Sequence, residues 1–285
     1  MENCIEIKNL CKKYEEFTLN NISFSVKTGC VMGFIGENGA GKTTTLKSIL
    51  NLIKKDSGSI KIFGLDNVEN EEEIKKDIAV VFDDINFPPT FNALKINKMM
   101  KNTISNWEED TFFKYVERFR LSKKKAIKDF SRGMKMKLSI AVALSHNAKL
   151  LILDEATSGL DPMVRNEILD VFLEFMEDET HTILISSHII SDLEKVADYI
   201  TFIHDGKVLF SKEKYDILEE HGLLKCKSSQ FEKVDKKDII AYRKSDFGYD
   251  VLTDNIKECK TKYPDIAVDK VNIEDIMLFY SMRRD

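Results

Sequence analysis

Apolar and polar positions follow different patterns along the chain. Over residues 3–27 they alternate, with Ile5, Ile7 and Phe24 among the apolar positions, which predicts antiparallel strands. Further on, short apolar runs cover residues 31–35, 78–82, 150–153, 182–186 and 199–203. Stretches of helical spacing separate most of these runs, and this order is typical of an α/β protein with a parallel sheet.

A long helical segment interrupts the alternation. From Ala93 to Lys128 the pattern is amphipathic and rich in lysine, and a second helix is predicted after Ser131. We therefore expect a helical subdomain at about 84–148, inserted into a domain that covers residues 1–210. Residues 211–285 have few glycines and nearly balanced charges, and they predict a small C-terminal α+β extension of unknown role.

Composition narrows the class of protein. The 285 residues carry 43 Lys or Arg and 48 Asp or Glu, a net charge of −5, which argues against a dedicated nucleic-acid binder. No apolar run approaches the roughly 18 residues that a membrane helix needs, and the N-terminus lacks a signal-peptide pattern. Five cysteines without a CxxC spacing argue against a disulfide framework or a zinc site. We expect a soluble, cytoplasmic protein.

A phosphate-binding loop follows the first short apolar run and precedes a helical stretch. Its residues fit G-x-x-x-x-G-K-[ST] without a mismatch: Gly36, Glu37, Asn38, Gly39, Ala40, Gly41, Lys42 and Thr43. Backbone N–H groups of such a loop and the start of the next helix attract phosphate oxygens. We expect Lys42 to reach the β- and γ-phosphates of ATP, Thr43 to ligate Mg²⁺, and Thr44 to approach the α-phosphate.

Two acids end a later apolar run. Asp154 and Glu155 directly follow residues 150–153, so a buried parallel strand delivers them to the ligand edge of the sheet. Asp154 is then placed to bind Mg²⁺ through water. Glu155 points elsewhere and can polarise the water that attacks the γ-phosphate. A P-loop followed by such a pair predicts nucleotide hydrolysis.

Three further motifs give the sequence a family resemblance. Ser131 begins the segment Ser-Arg-Gly-Met, residues 158–161 read Ser-Gly-Leu-Asp, and His188 ends an apolar run. In this order, with the P-loop and the acidic pair, they resemble the signature, D-loop and switch histidine of the nucleotide-binding subunit of an ABC transporter. The match covers residue 2 to about 210. Tyr14 stands where that family stacks an aromatic ring on adenine.

The resemblance implies a fold and a mechanism. It implies a P-loop NTPase (RecA-like) core with an N-terminal antiparallel β subdomain beside the helical insert. Two such subunits, as a homodimer or a heterodimer with a similar cassette, bury two ATP molecules head to tail. Ser131 and Gly133 would contact the γ-phosphate bound by the partner subunit. Glu155 would activate water, and His188 would hold the γ-phosphate and the water in place.

The signature departs from the family pattern at two positions. Arg132 stands in place of the first glycine and Met134 in place of the glutamine, while Ser131 and Gly133 remain. Arg132 either adds positive charge to the phosphate site or is a solvated residue at the start of a helix.

A third departure follows the run at 78–82. The family has a glutamine there that senses Mg²⁺ and water, whereas this chain has Asp83 and Asp84. An aspartate can ligate Mg²⁺ but, when ionised, cannot donate a hydrogen bond. We expect Asp83 to take the Mg²⁺-binding role.

A transporter cassette without a membrane span needs a separate membrane permease, which would hold it on the cytoplasmic face of the cell membrane. The helical region 84–148 is the expected docking face, with residues 87–91 either an apolar lip of the groove or part of the subdomain core. The chain most resembles ATPases of ABC-2-type exporters, which include antibiotic and peptide-antibiotic systems, and residues 271–280 resemble their C-terminal ends. Transport out of the cell is therefore the expected direction.

Two other classes of function are weighed against transport. A non-transport ABC ATPase of DNA maintenance or translation would carry a long coiled coil, zinc-binding cysteine pairs or a second cassette, none of which the sequence shows. A small-molecule kinase would have no use for the signature around Ser131 or for His188. We expect no nucleic-acid partner.

Overall fold

The alternating segment at the start of the chain forms a four-stranded β subdomain. The computed structural model describes residues 2–83, 87–246 and 248–282. In the β subdomain the strand order is β2-β1-β4-β5, and each neighbouring pair is antiparallel. Its strands are β1 (Asn3–Lys13), β2 (Thr18–Lys27), β4 (Ser57–Ile62) and β5 (Leu65–Asp66). Between β2 and β4 the chain runs through the central sheet as β3 (Val31–Ile35).

The short apolar runs form a six-stranded central sheet in the order β10-β9-β3-β8-β7-β6. The strands after β3 are β6 (Ile78–Val81), β7 (Leu150–Asp154), β8 (Thr182–Ser187), β9 (Tyr199–His204) and β10 (Lys207–Glu213). The pairs from β9 through β3, β8 and β7 to β6 are parallel. Strands β3, β7 and β8 are buried along their whole length, as strands covered on both faces must be. The predicted α/β class is confirmed.

Seven helices of the described residues accompany these strands. They are α1 (Lys42–Ile49), α2 (Glu71–Lys76), α3 (Ala93–Thr103), α4 (Glu109–Arg118), α5 (Arg132–Ala143), α6 (Pro162–Phe175) and α7 (Ile190–Val196). The helical insert contains α3, α4 and α5 and lies between the neighbouring strands β6 and β7. Its first residues, 84–86, and with them Asp84, lie outside the described residues.

The insert is more broken than the sequence pattern predicts. The region 93–128 contains two helices and a short 3-10 turn, Ile127–Asp129, rather than one continuous helical stretch. The amide oxygen of Asn92 caps α3 by accepting from the backbone of Lys95, and acidic residues in the first turn of α4 favour a new helix start there. Residues 87–91 are tied to the 3-10 turn by backbone hydrogen bonds to Ile127 and Lys128.

Residues 211–285 form a separate compact unit. Its antiparallel sheet has the order β12-β13-β11-β14, with strands β11 (Gly222–Cys226), β12 (Ala241–Ser245), β13 (Gly248–Thr253) and β14 (Ala267–Asp269). Its helices are α8 (Lys214–Glu220), α9 (Ser228–Phe231), α10 (Ile256–Lys262) and α11 (Ile273–Ser281). Leu224, Val251 and Cys259 lie in its core. Within the described residues, no helix has the length and apolar character to cross a bilayer.

Candidate functional site

The P-loop connects the end of β3 to the start of α1, and residues of β2, β9 and the turn before β2 pack tightly against one side of it. A Cβ atom at Gly36 would lie 2.3 Å from the carbonyl oxygen of Ile203. Gly41 has φ of +110°, and a Cβ there would lie 2.5 Å from Leu19 and 2.8 Å from Phe17. Only glycine fits at either position. Residues 37–39 of the loop are exposed, so a phosphate can approach the loop from solvent.

Lys42 begins α1 and lies across this loop. Its ammonium group donates to the carbonyl oxygens of Gly36 at 2.8 Å and Glu37 at 3.2 Å. It also lies 3.2 Å from Oε1 of Glu155, although the residues are far apart in sequence. The side chain is 6% exposed, so its charge is poorly screened by water. Asn38 and Gly39 of the loop are exposed, whereas Ala40, which follows them, is buried.

The threonines that follow Lys42 have different surroundings. Thr43 is exposed, Thr44 is half-buried, and the hydroxyl of Thr45 donates to the carbonyl oxygen of Gly41 at 2.9 Å. Thr45 therefore stabilises the loop, whereas Thr43 carries its hydroxyl oxygen on an exposed residue. Such an oxygen, with the carboxylate of Asp154, is the hard donor set that Mg²⁺ prefers.

Asp154 ends β7 and is held by the neighbouring strand. It lies opposite Ser186 of β8 in the parallel register, and its Oδ1 atom accepts from the Ser186 hydroxyl at 2.6 Å. Asp154 is 5% exposed. Ser186 lies outside the motifs by which the sequence predicts the site. The sequence marks Ser186 only as a hydroxyl residue at the end of an apolar run. That run forms β8, which pairs with β7 and so brings Ser186 opposite Asp154.

Glu155 has a left-handed backbone conformation, with φ of +53°. Its N–H donates to the carbonyl oxygen of Ser186 at 3.1 Å, which helps to hold the turn. Left-handed conformations of residues with a Cβ atom are unfavourable and cluster at functional sites. The turn directs the side chain between Lys42 and His188, whose Nδ1 atom lies 2.6 Å from Oε2 of Glu155.

His188 follows β8 and is partly open to solvent, with 43% of its side chain exposed. The predicted trio of Lys42, Glu155 and His188 therefore forms one contiguous cluster. The P-loop, the end of β7 and the end of β8 each contribute one member. A cation for phosphate, a carboxylate for water and an imidazole beside it are groups that phosphate hydrolysis can use.

The predicted adenine contact, Tyr14, lies in the turn between β1 and β2. Its N–H donates to the carbonyl oxygen of Phe17 at 2.8 Å, and its side chain is 43% exposed. The Lys12 ammonium lies 5.6 Å from its ring centroid. Phe17, which the sequence analysis missed, contacts the P-loop at Gly41. Its signal was only an aromatic residue three positions after Tyr14.

The signature residues form a second group at the start of α5. Ser131 is its N-cap, and its hydroxyl oxygen accepts from the N–H of Met134 at 3.3 Å. A Cβ atom at Gly133 would contact Val164 of α6 at 3.3 Å. The hydroxyl of Ser131 bonds within its own helix start, whereas Lys42 and Glu155 contact each other at the P-loop.

Asp83 belongs to this second group through its ion pair. Its carboxylate accepts from the guanidinium of Arg132, and both side chains are about half exposed. Arg132 also lies against Gly159, where a Cβ atom would be 2.9 Å from its Nη1 atom. Arg132 is therefore not merely solvated, and neither interpretation of the sequence included this partner. The Mg²⁺-binding role of Asp83 stays a prediction.

Known proteins are similar to this chain over the region that contains these motifs. Residues 19–158 match a family model described as ABC transporter. A lantibiotic transport ATP-binding protein of Streptococcus pyogenes is 40% identical over 217 residues, which cover 74% of this chain and 91% of that protein. A bacitracin transport ATP-binding protein of Bacillus licheniformis is 37% identical over 73% of this chain and 69% of its own length.

Solved structures agree with these sequence matches. A structure described as the ATP-binding subunit of an ABC transporter superposes with a TM-score of 0.69 at 27% identity, over 76% of this chain and 92% of that one. A dimeric ATP-binding cassette in a post-hydrolysis state with ADP and phosphate has the same fold, with a TM-score of 0.65 at 22% identity, over 73% of this chain and 98% of that one.

Proposed function

The chain belongs to the ABC transporter family, and from that premise we propose how its residues bind and hydrolyse ATP and which transport they drive. It is the ATP-binding subunit of such a transporter and an ATPase, as the resemblance of its motifs predicted. The observation that carries the proposal is the cluster of Lys42, Glu155 and His188 beside a P-loop that only glycines can form.

The proposed binding of ATP starts from the P-loop and the first turn of α1. Backbone N–H groups from Gly39 to Thr43 and the helix N-terminus attract the phosphate oxygens. Lys42 supplies the positive charge for the β- and γ-phosphates. Thr43 and Asp154 would hold Mg²⁺, which neutralises charge on those phosphates, and Asp83 is proposed as a further oxygen ligand. Tyr14 is proposed to stack on adenine because its ring is exposed at the rim.

The proposed hydrolysis step uses Glu155 as the general base. Its carboxylate takes a proton from the water that attacks the γ-phosphate, and the strained turn at this residue fixes where the carboxylate points. His188 holds the Oε2 side of the same carboxylate. When phosphate oxygens bind Lys42, the ammonium group is shared between the phosphate and the Glu155 carboxylate. The carboxylate is then held less strongly and becomes available to water.

The proposed assembly is a head-to-tail dimer. Ser131 and Gly133, at the exposed start of the twelve-residue helix α5, would contact the γ-phosphate of the ATP that the partner subunit binds. Each subunit would then contribute one half of each of the two ATP sites. The partner cassette is either a second copy of this chain or a similar one.

We propose that this dimer drives export through a membrane permease encoded separately, at the cytoplasmic face of the cell membrane. Docking is proposed on the insert, residues 84–148. The relatives named for lantibiotic and bacitracin transport support a peptide antibiotic as the class of transported compound. The C-terminal unit is proposed to lie outside the cassette that performs hydrolysis.

The catalytic assignment is tested with Glu155→Gln, which keeps the shape of the side chain but removes its basicity. We expect the hydrolysis rate to fall about 10²- to 10⁴-fold, the usual contribution of a general base, while ATP traps a dimer visible by light scattering. Glu179→Gln, at an exposed glutamate on the loop before β8, is the matched control and should hydrolyse ATP at the wild-type rate. Turnover by Glu155→Gln at that rate would overturn the assignment.

The transport assignment is tested by sequencing the genes next to the one for this chain and by co-expressing the chain with any multi-span membrane protein that they encode. We expect the two to co-purify in detergent and the ATPase rate to change when the permease is present. Recovery of ribosomes or DNA, with no binding to that membrane protein, would contradict the proposal.

A further inference from the structure

Two residues at which this chain departs from the family pattern contact each other. Arg132 replaces a glycine and Asp83 replaces a glutamine, and the guanidinium of one donates to the carboxylate of the other. They are 49 positions apart in sequence. Arg132 is the first residue of α5 and Asp83 lies just beyond β6, so the pair joins the signature to the end of a core strand.

The guanidinium of Arg132 has a second neighbour that defines its position. Gly159 has φ of +66°, and a Cβ atom there would lie 2.9 Å from Nη1 and 3.0 Å from Cζ of Arg132. The side chain of Arg132 therefore lies between the segment after β6 and the loop after β7. These contacts hold Arg132 beside Ser131, the residue that directly precedes it in sequence.

We propose that Arg132 binds the γ-phosphate of the ATP held by the partner subunit, and that Asp83 holds the guanidinium when the two subunits are apart. This inference rests on the proposed function, in which Ser131 and Gly133 face that phosphate. Arg132 stands between these two residues at the same helix start. Its planar group of N–H donors matches a phosphate, and a triphosphate carries more negative charge than one carboxylate.

Arg132 can contact either Asp83 or the γ-phosphate, and the relative strengths of these two contacts decide which one it makes when ATP is bound. Asp83 and Arg132 are 51% and 50% exposed, and a pair so open to water contributes about fivefold or less to an equilibrium constant. A charge-assisted contact to phosphate, closed off from water between two subunits, contributes about tenfold or more. ATP at the dimer interface therefore takes Arg132 from Asp83. The exchange also releases the carboxylate of Asp83 for the Mg²⁺-binding role proposed above.

A purely structural ion pair makes a different prediction. If the pair only held α5 in place, neutralising either partner would weaken dimer formation. If Asp83 competes with phosphate for Arg132, the two substitutions shift dimer formation in opposite directions. The sign of the Asp83 effect therefore separates the two roles.

The test uses the full chain with Glu155→Gln as the parent, saturating Mg²⁺, and the ATP concentration that gives half-maximal dimer by sedimentation. Asp83→Asn keeps an oxygen that saturating Mg²⁺ can still bind, but it loses the charge that competes for Arg132, so we expect it to lower that ATP concentration about two- to fivefold. Arg132→Gln should raise it about tenfold or more, and Arg132→Lys, which keeps the charge without the planar fork, should raise it less. The double variant should behave as Arg132→Gln.

The matched control is another exposed ion pair of the same unit, Arg118 and Glu174, whose guanidinium is 37% exposed. Arg118→Gln and Glu174→Gln should leave the half-maximal ATP concentration unchanged. An unchanged value for Arg132→Gln, or a rise with Asp83→Asn, would overturn the inference while the parent still dimerises. If the parent itself forms no dimer with ATP, both the proposed function and this inference are wrong.

Discussion

Glu155 and Lys42 form an ion pair at the P-loop, with Oε1 of the acid 3.2 Å from Nζ of the lysine. Their side chains are 17% and 6% exposed, so solvent screens the attraction only weakly. A phosphate oxygen that binds Lys42 must share the ammonium group with this carboxylate. Phosphate binding and the release of the proposed base are therefore coupled through a single cation.

Replacing Lys42 with alanine should weaken ATP binding about 10- to 100-fold, because a buried charge-assisted contact to phosphate is lost. Titration with a fluorescent ATP analogue measures the affinity. Lys47→Ala, at an exposed lysine on the same helix, should bind the analogue as the wild type does. Equal affinities for the two variants would show that Lys42 is not a phosphate ligand.

The backbone of Glu155 predicts an unusual order of stabilities. Because φ is +53°, Glu155→Gly should be more stable than Glu155→Ala by about 1 kcal/mol. Thermal unfolding of the two variants measures the difference. Glu167 lies inside α6, where glycine is the poorer residue, so Glu167→Gly should be less stable than Glu167→Ala. The same order at both positions would contradict strain at Glu155.

His188 should affect the catalytic rate more than substrate binding, because it contacts the proposed base rather than the P-loop. For His188→Ala we expect kcat to fall about 10- to 100-fold, less than the full contribution of the base itself, with KM changed little. Steady-state kinetics measure both. His181→Ala is the control, because that ring stacks on Phe175. A fall in kcat/KM that came only from KM would contradict the assignment.

His221 gives the C-terminal unit a dependence on pH. Burial lowers the pKa of its imidazole below the ordinary 6.5, while Asp254 and Glu220 act in the opposite direction and Lys212 adds to the lowering. Nδ1 lies 2.8 Å from the carbonyl oxygen of Ile217, and Nε2 lies 3.3 Å from the hydroxyl of Tyr280.

The sign follows from which form the folded unit favours. A folded-state pKa below the unfolded one means that protons bind the unfolded chain more tightly. Stability is therefore fully present above pH 6.5 and is lost as the pH falls towards the lower pKa of the folded unit. Hydrogen exchange in β11 and β13 should show a larger loss of protection at about pH 5.5 for the wild type than for His221→Gln. An equal loss in both proteins would exclude His221 as the cause.

Much of the fold can be predicted from local pattern. The strands at 31–35 and 150–154 are continuous apolar runs, and a run of this kind needs burial on both faces wherever it lies in the chain. The insert was harder, because the break between α3 and α4 depends on capping and first-turn charges that a count of apolar positions does not detect.

The site divides in the same way. Lys42 and Glu155 can be identified because a motif fixes their place at a strand end. The contact between Arg132 and Asp83 could not be predicted, because it joins positions 49 residues apart and depends on how the insert returns to the core. The left-handed turn at Glu155 was equally hidden, since nothing in a glutamate marks that conformation in advance.

The pairing of β7 with β8 has a consequence for how this protein tolerates change. Asp154 lies opposite Ser186 because the apolar residues 151–153 are matched one by one with the apolar residues 183–185 of β8. A slip of one residue would turn every side chain of the strand to the other face. The position of Asp154 therefore depends on a row of aliphatic side chains that lie outside the proposed ATP site. Natural variation in that row is constrained by catalysis as much as by folding.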